Sequence, residues 1–262
     1  MQEVVSFSGG KDSTAMLLHM VELNMPIDDI IYIDTGCDFP QMYEHIDKVE
    51  DYINMPITRL KAEHDWDYYF EKYSFPSHGV RWCQTKLKRD VKNKYLKGKK
   101  VNEYIGIAYD EPKRIKDKKY PLVEWKWTED MCLKYCYDKG FTWGGLYKHF
   151  DRLSCFCCPL KKVEEYRTLY KYYPDLWAKI LNWQKKTERR FTKEASALKL
   201  DIRFKLEEEL GYTPRKKWFF EEVNKRFLVG NKEKERNVNT PDNCYFSERT
   251  YCKSVRESNV NT

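Results

Sequence analysis

Short apolar runs alternate with longer amphipathic stretches through the first half of the chain. The apolar runs fall within residues 3–8, 30–34, 57–60 and 101–107, and their lengths suit strands that are buried on both faces. The stretches between them are long enough for the helical crossovers that join parallel strands. This alternation predicts an α/β fold, with a parallel twisted sheet and helices on both of its faces.

The pattern changes near Thr128, where amphipathic helices replace the strands. Thr128 can cap the first of these helices, and residues 161–227 predict further helices with breaks near Pro174 and Pro214. The last part of the chain is polar and predicts a loosely ordered tail. We therefore divide the chain into an α/β nucleotide-binding domain at 1–127, a mainly helical, cysteine-bearing region at 128–229, and a flexible tail at 230–262.

The composition narrows the class of protein. The 262 residues carry 48 basic and 41 acidic side chains, and the net charge of +7 suits a nucleotide or nucleic-acid ligand without requiring one. No stretch of about 18 uncharged apolar residues is present, so the sequence predicts no membrane span. The chain begins almost directly with a strand, which leaves no room for a signal peptide, and we expect a cytoplasmic protein. In that reducing compartment the nine cysteines are expected to be metal ligands, sulfur carriers or buried thiols.

An anion-binding turn follows the first predicted strand. Gly9 and Gly10 let the backbone approach an anion closely, and the first N–H groups of the following helix point towards it. Asp12 is an acid within this anion site, which is favourable only with a cation such as Mg²⁺ between the carboxylate and the phosphates. The spacing is neither that of the kinase-type phosphate loop nor that of the dinucleotide-binding turn. The predicted nucleotide contacts of this turn are Ser6, Phe7, Ser8, Gly9, Gly10, Lys11, Asp12 and Ser13.

Residues 8–13 read Ser-Gly-Gly-Lys-Asp-Ser and resemble the Ser-Gly-Gly-x-Asp-Ser loop of the adenine nucleotide α-hydrolase superfamily, the PP-loop ATP pyrophosphatases. The resemblance implies a Rossmann-like fold and ATP with Mg²⁺ as the bound nucleotide. Asp34 and Gly106 end two other predicted strands, and the carboxyl ends of parallel strands face one crevice. We therefore expect both residues to contact the nucleotide, with a turn or a helix cap as the alternative role of Asp34.

Three further segments resemble the phosphoadenosine phosphosulfate reductases, a family of the same superfamily. Residues 34–40 resemble that family's Asp-Thr-Gly-x-x-Phe-Pro, and residues 121–128 resemble its Pro-Leu-x-x-Trp-Thr. Residues 106–114 resemble Gly-x-Arg-x-Asp-Glu-Ser-x-x-Arg, with Ala108 in place of the first arginine. Together the matches cover residues 4–160.

Two basic residues lie at positions that the family fills with a lysine and an arginine, namely Lys88 and Arg114. The resemblance implies that both contact phosphate groups, although a basic run of this kind is often only a solvated helix face. The predicted catalytic residues are Lys11, Asp12, Lys88 and Arg114.

One cysteine precedes Lys88, and three more lie close together at 155–158. Some reductases of the family hold a four-iron four-sulfur cluster with an adjacent cysteine pair and a distant Cys-x-x-Cys; here Trp82 replaces the first cysteine of the pair. Four thiolates can close a site on an iron–sulfur cluster or on zinc, and buried thiols without metal are the third interpretation. Since adjacent cysteines rarely bind one zinc ion well, we favour a 4Fe-4S cluster, with Zn²⁺ as the alternative. The predicted ligands are Cys83, Cys155, Cys157 and Cys158.

These patterns predict an enzyme that cleaves ATP to AMP and pyrophosphate, adenylates an acceptor, and transfers sulfur through the cysteine centre. The expected partners are an adenine nucleotide, a tRNA or DNA acceptor, and a sulfur donor or thioredoxin-like reductant. Aromatic and basic residues interleave at 166–190 and 215–226, which fits nucleic-acid binding but is more typical of helix packing. A sulfonucleotide reductase and a non-catalytic nucleotide-binding or nucleic-acid-binding module are the alternatives.

Overall fold

The computed structural model describes residues 1–153, 155–193, 195–214 and 217–238, with side chains described as far as residue 230. The chain forms two compact units, the first spanning Met1–Ala197 and the second beginning at Leu198. The predicted functional division at residue 128 stays a prediction.

A sheet of four parallel strands lies at the centre of the first unit, in the order β3-β2-β1-β4. The strands are β1 (Gln2–Ser6), β2 (Asp29–Asp34), β3 (Thr58–Lys61) and β4 (Val101–Ile105). Val5 of β1 is fully buried, with Ile30 on one side and Tyr104 on the other. The predicted parallel α/β sheet is therefore confirmed, and each strand lies within about two residues of its predicted position.

The strand order creates a crevice at one edge of the sheet. After β1 the chain adds β2 and β3 on one side, and β4 then pairs with the other side of β1. Ligands of open α/β sheets bind beyond the carboxyl ends of the strands, where the strand order reverses. In this protein that place lies between the ends of β1 and β4.

Helices surround the sheet in the order expected from the sequence. Pro40 begins one of them, and the Oγ1 atom of Thr128 caps another by accepting the N–H of Met131 at 3.3 Å. Their bounds are α1 (Lys11–Glu22), α2 (Pro40–Ile53), α3 (Trp66–Tyr73), α4 (Trp82–Gln84), α5 (Asp90–Leu96), α6 (Pro121–Glu124), α7 (Glu129–Asp138), α8 (Val163–Tyr172) and α9 (Pro174–Lys185). A π-helical turn (Thr85–Arg89) joins α4 to α5, and 3₁₀ turns lie at Pro112–Arg114 and Trp143–Lys148.

The second unit contains most of α10 (Ala197–Leu210) and all of α11 (Lys217–Val238). Phe219 of α11 is buried against Leu206 of α10 and its neighbour Val223. The predicted C-terminal helical extension is thus confirmed. Residues 230–238, which the composition assigned to the tail, continue α11 because lysine and glutamate favour a helix; the rest of the predicted tail lies outside the described residues.

Within the part of the chain that the structure describes, every helix is too short or too polar to cross a bilayer.

Candidate functional site

The predicted anion-binding turn connects β1 to α1 and is very tight. Gly9 adopts a left-handed backbone (φ 75°), and a Cβ atom there would lie 2.8 Å from the Cε of Met42. The N–H of Ser8 donates to the Oγ of Ser13 at 3.2 Å, and that hydroxyl donates to the carbonyl of Gly10 at 3.0 Å. These bonds fix the first turn of α1 beside the end of β1.

The glycine amides of this turn are available to a ligand. The N–H of Lys11 donates to the hydroxyl of Tyr147 at 2.7 Å, whereas the N–H groups of Gly9 and Gly10 donate to no described residue. They lie at the N-terminus of α1, where the helix dipole is positive. The turn therefore has the properties of a phosphate site.

Lys11 and Asp12 differ in how their charges are balanced. The buried ammonium of Lys11 pairs with the Oε2 of Glu129 at 2.6 Å. The Oδ1 of Asp12 is buried without a partner among the described residues, and burial raises the pKa of Asp12 to about 6 although Lys11 opposes the shift.

Asp12 fits the predicted Mg²⁺ because its buried oxygen needs a positive partner. Within the described part of the chain, no three His, Cys, Asp or Glu side chains are grouped to hold a metal ion. Mg²⁺ commonly takes only one or two carboxylates and completes its shell with water and substrate phosphates. Asp12 could serve as such a single protein ligand.

A chain of ion pairs connects Arg114 to the turn. Arg114 pairs with Glu111, Glu111 pairs with Arg152, and Arg152 reaches the Oε1 of Glu129 at 3.3 Å. Glu129 in turn holds Lys11. The predicted catalytic residue Arg114 thus reaches Lys11 only through intermediates. No motif or spacing identified Arg152 or Glu129 as members of this chain of ion pairs.

A cavity of about 420 Å³ lies between the carboxyl ends of β1 and β2 and the π-helical turn. This volume is within the range of ~300–1,000 Å³ that is usual for small-molecule sites. The π-helical geometry is common at functional sites, and the turn contributes Lys88 and Arg89 to the wall. The remaining lining residues are Ser6, Phe7, Ser8, Ile31, Tyr32, Ile33, Asp38, Met42, Gln84, Lys92 and Leu153.

Asp34 and Gly106 lie at the ends of the two strands that flank β1, and both make internal contacts. The Oδ1 of Asp34 accepts the N–H of Gly36 and the hydroxyl of Tyr43, both at 2.8 Å, which is the alternative role of a turn residue. A Cβ on Gly106 would lie 2.6 Å from the Cα of Ser13, so packing of β4 against α1 requires a glycine there. Nucleotide contacts by Asp34 and Gly106 stay predictions.

The predicted cysteine ligands separate into two groups. Cys83, Cys155 and Cys158 all interact electrostatically with Lys88, and we refer to these three as the Lys88 thiols. Cys157 is instead fully buried, and the side chain that acts on its thiol most strongly is Cys37, ahead of Cys155 and Cys158. Among the described residues these cysteines are not grouped as metal ligands, and the iron–sulfur cluster and its zinc alternative stay predictions.

Charged groups connect the Lys88 thiols to the cavity. Asp38 and Lys88 both line the cavity, and the hydroxyl of Tyr32 donates to Asp38 at 2.7 Å. The Sγ of Cys155 lies 3.5 Å from the Oγ1 of Thr35. Burial raises the pKa of Cys155 to about 12, against the effect of Lys88, so Cys155 is a neutral thiol at pH 7. Lys88 therefore lines the cavity and also interacts with the three thiols, none of which is among the lining residues.

Known proteins that are similar in sequence match only part of this chain and only part of their own length. The chain is 29% identical over 197 residues to the uncharacterized protein MJ0066 of Methanocaldococcus jannaschii, covering 67% of this chain and 40% of that protein. It is also 29% identical over 150 residues to the uncharacterized nin region protein ORF290 of Escherichia phage lambda, covering 45% of this chain and 52% of that protein. The chain thus spans about half or less of the length of these curated relatives.

A solved structure and a family model complete the comparison. The crystal structure of phosphoadenylyl-sulfate (PAPS) reductase from Candida auris, a phosphate complex, matches with a TM-score of 0.45 and 17% identity, covering 56% of this chain and 78% of that chain. The model of the phosphoadenosine phosphosulfate reductase domain matches residues 2–161. Because that match takes in more than half of the 262 residues, the chain belongs to the phosphoadenosine phosphosulfate reductase family, within the adenine nucleotide α-hydrolase superfamily.

Proposed function

We propose that this protein is an enzyme that binds ATP with Mg²⁺ and cleaves it to AMP and pyrophosphate, adenylating an acceptor. One observation carries the proposal. The amides of Gly9 and Gly10, which donate to no described residue, belong to the same turn as the unpartnered Oδ1 of Asp12. Amides attract phosphate oxygens, whereas a buried carboxylate attracts a cation. A polyphosphate with a divalent cation satisfies both, and ATP with Mg²⁺ is such a ligand.

The cavity is proposed to hold the adenosine part of the nucleotide. It shares Ser6, Phe7 and Ser8 with the turn, so one molecule can occupy the cavity with its nucleoside and the turn with its phosphates. Arg89 and Lys92, which also line the cavity, add positive charge for the ligand.

The proposed first step is attack of an acceptor oxygen on the α-phosphorus. The new P–O bond forms as the bond to the β-phosphate oxygen breaks, and pyrophosphate leaves. The residues of the turn contribute positioning and charge neutralisation, and Lys11 can exchange Glu129 for a phosphate oxygen. When bound, Mg²⁺ would neutralise the negative charge of the leaving pyrophosphate.

The sulfur step is proposed to use the Lys88 thiols. A protein persulfide transfers sulfur to one of them, and the terminal sulfur of the enzyme persulfide attacks the acceptor carbon that bears the adenylate, so that AMP leaves. A neighbouring thiol attacks the enzyme sulfur of the resulting disulfide, which releases the thiolated acceptor and leaves an enzyme disulfide. A thioredoxin-like dithiol supplies the two electrons that restore the thiols.

A sulfonucleotide reductase is the second candidate, because Lys88 lines the cavity and also interacts with the Lys88 thiols. A thiolate would attack the sulfur of the sulfonucleotide and break its bond to the phosphate oxygen. A second thiol would then release sulfite and leave a disulfide for a dithiol to reduce. The complete turn at residues 8–13 favours ATP.

The proposed acceptor is a nucleic acid. Tyr166, Trp177 and Trp183 of the first aromatic–basic stretch are buried, so they pack helices and do not form a stacking surface. In the second stretch Trp218 and Phe220 are exposed on α11 and could stack on bases. Fluorescence anisotropy with labelled tRNA and single-stranded DNA tests this. Replacing both residues by alanine should weaken binding, and Tyr212→Ala, also at an exposed position, is the control.

The decisive assay incubates the purified protein with ATP labelled at the α-phosphate, Mg²⁺, and tRNA or DNA. Labelled AMP, attached to the acceptor or free, that is formed by the parent and not by Asp12→Asn would support the proposal, whereas labelled ADP would contradict it. Sulfite release from a phosphosulfate with a dithiol would identify the second candidate. Nucleotide binding without any turnover would favour the non-catalytic module.

A further inference from the structure

We propose that Trp143 is a positioning residue that sets the phosphate turn for a polyphosphate, with Tyr147 as its support. The inference rests on the proposed function and adds a segment that the motifs of the turn do not contain. Trp143 and Tyr147 belong to the 3₁₀ segment Trp143–Lys148, more than 130 residues after the turn that they contact.

Trp143 fixes the orientation of one peptide group. Its Nε1–H donates to the carbonyl of Gly9 at 2.7 Å. In a trans peptide the C=O and the following N–H point in opposite directions, so the N–H of Gly10 points away from Trp143. That N–H donates to no described residue. Because glycines flank the peptide on both sides, their torsions alone would allow it to rotate. The indole hydrogen bond is therefore what presents the Gly10 amide to a ligand.

The backbone of Trp143 is itself strained. Three consecutive residues, Trp143, Gly144 and Gly145, have positive φ values of 49°, 59° and 85°. Glycines adopt this conformation freely, whereas a bulky residue rarely does, and such strain persists where the surroundings enforce it, often at functional sites. A Cβ on Gly144 would lie 2.8 Å from the Cγ of Gln41, so close contact with α2 also demands a glycine.

The indole ring has little freedom to move. It is buried and stacks on the ring of His45 with centroids 4.3 Å apart. The Nε2 of His45 lies 3.0 Å from the Oγ1 of Thr14 in the first turns of α1. The helix that would bind the anion and the residue that orients the turn are thus locked together through one histidine.

Tyr147 removes one alternative position for the anion. Its hydroxyl accepts the N–H of Lys11, the first residue of α1, and its ring meets that of Trp143 edge to face at 4.8 Å. The Lys11 amide is consequently satisfied, and an anion is directed to the glycine amides beside Asp12. The hydroxyl keeps its own hydrogen for donation to a phosphate oxygen.

The expected effect is selective for phosphates. Trp143→Phe keeps an aromatic ring but loses the donor that orients the Gly10 amide. Without that amide's hydrogen bond to a charged phosphate, ATP affinity should fall by about 10- to 100-fold. Affinity for adenosine, which lacks phosphates, should stay within about twofold. Tyr147→Phe should lower ATP affinity by no more than about tenfold, since Trp143 still holds the turn.

Calorimetric titration of ATP with Mg²⁺ and of adenosine into the parent and both variants tests the inference. Trp183→Phe is the matched control, because it also removes a buried indole donor, here to Asp67 at 2.5 Å, and its ring packs against Trp66, Phe70 and Phe156 instead of the turn. A parent that binds no ATP would overturn the proposed function and the inference together. A parent that binds ATP, with Trp143→Phe showing an unchanged ratio of ATP to adenosine affinity, would overturn only the inference. A gain of ATP affinity in Tyr147→Phe would likewise overturn the supporting role of Tyr147.

Discussion

The carboxylate of Glu129, the first residue of α7, holds the ammonium of Lys11, the first residue of α1, at 2.6 Å. The pair therefore joins the first residues of the two helices, and the carboxylate neutralises the charge of the buried lysine. A lysine that binds phosphate must leave this partner or share it. Glu129 therefore competes with the ligand for Lys11.

Glu129→Gln should reveal this competition. Without the carboxylate the buried Lys11 loses its counter-charge, and we expect the free energy of unfolding to fall by about 1–3 kcal/mol, below the usual cost of breaking a fully buried pair because Glu129 is partly exposed. ATP would supply a new counter-charge, so it should raise the melting temperature of the variant more than that of the parent. Thermal unfolding with and without ATP measures both effects. Asp130→Asn, at an exposed neighbouring position, is the control, and an equal ATP shift in all three proteins would refute the competition.

Gly106→Ala should damage both the fold and the turn. The new Cβ would meet the backbone of Ser13 at 2.6 Å, and backbone cannot yield as a flexible side chain does. We expect a loss of about 1–3 kcal/mol in the free energy of unfolding, together with weaker nucleotide binding because α1 is displaced. Urea unfolding checks the first and calorimetry the second. Gly79→Ala is the matched control, since a Cβ there meets nothing within 4 Å.

The sequence predicted the local parts of the site well. The strands and the turn between β1 and α1 follow from residues that are neighbours in the chain, so pattern and motif are enough to find them. The partners of the turn are different. Trp143, Tyr147 and Glu129 lie more than 110 residues away, and only the packing of α7 and the following turn brings them to α1.

The cysteines show that even neighbouring residues can be assigned wrongly from sequence spacing. Cys157 and Cys158 are neighbours in the sequence and suggested a shared site. In the structure Cys158 belongs to the Lys88 thiols, whereas Cys157 contacts Cys37, near the end of β2. Adjacent side chains point in different directions, and which of them faces the site depends on the path of the loop. Spacing alone does not contain that information.

Asp12→Asn should show how much of the ATP affinity depends on Mg²⁺. The Oδ1 of Asp12 is buried and has no hydrogen-bond partner among the described residues. A bound cation would supply the positive charge that this carboxylate oxygen lacks. We expect the variant to lose the contribution of Mg²⁺, with ATP affinity in Mg²⁺ falling at least tenfold and ATP affinity in a chelator unchanged or higher, because the carboxylate of Asp12 then no longer repels the phosphates. Calorimetry in both buffers gives the comparison. Asp138→Asn, an exposed carboxylate on α7, is the control, and an equal loss in both buffers would contradict a metal role.

The division of the cysteines predicts how substitutions affect metal content. Any iron or zinc that purifies with the protein under anaerobic conditions should remain in Cys157→Ser, because the side chain that acts most strongly on the Cys157 thiol is Cys37, which is not one of the Lys88 thiols. It should be lost in Cys158→Ser, which removes one of the Lys88 thiols. Elemental analysis and visible absorbance of equal amounts of folded protein provide the measurement. Loss of metal from Cys157→Ser would contradict this division and support the four-cysteine ligand set that the sequence predicted.

Glu103 should make the free energy of unfolding depend on pH in the acid range. This buried carboxylate accepts the hydroxyl of Ser6 at 2.6 Å and pairs with Lys92 and Lys118. Burial acts to raise its pKa, but these partners outweigh burial and hold the pKa of Glu103 below its usual value of 4.5. A depressed pKa in the folded state means that the unfolded chain binds the proton first. The stabilisation is therefore complete above the unfolded pKa and is lost as the pH falls through the folded one.

Urea unfolding of the parent and of Glu103→Gln between about pH 7 and pH 3 separates this group from the other carboxylates. The variant should be less stable at neutral pH because two lysines lose their shared partner. It should also lose less stability than the parent below about pH 4.5, since glutamine does not titrate. Glu124→Gln, at an exposed position, should follow the parent. Parallel pH profiles for the parent and Glu103→Gln would mean that folding leaves the pKa of Glu103 unchanged, and the pairs with Lys92 and Lys118 would then not favour its ionised form.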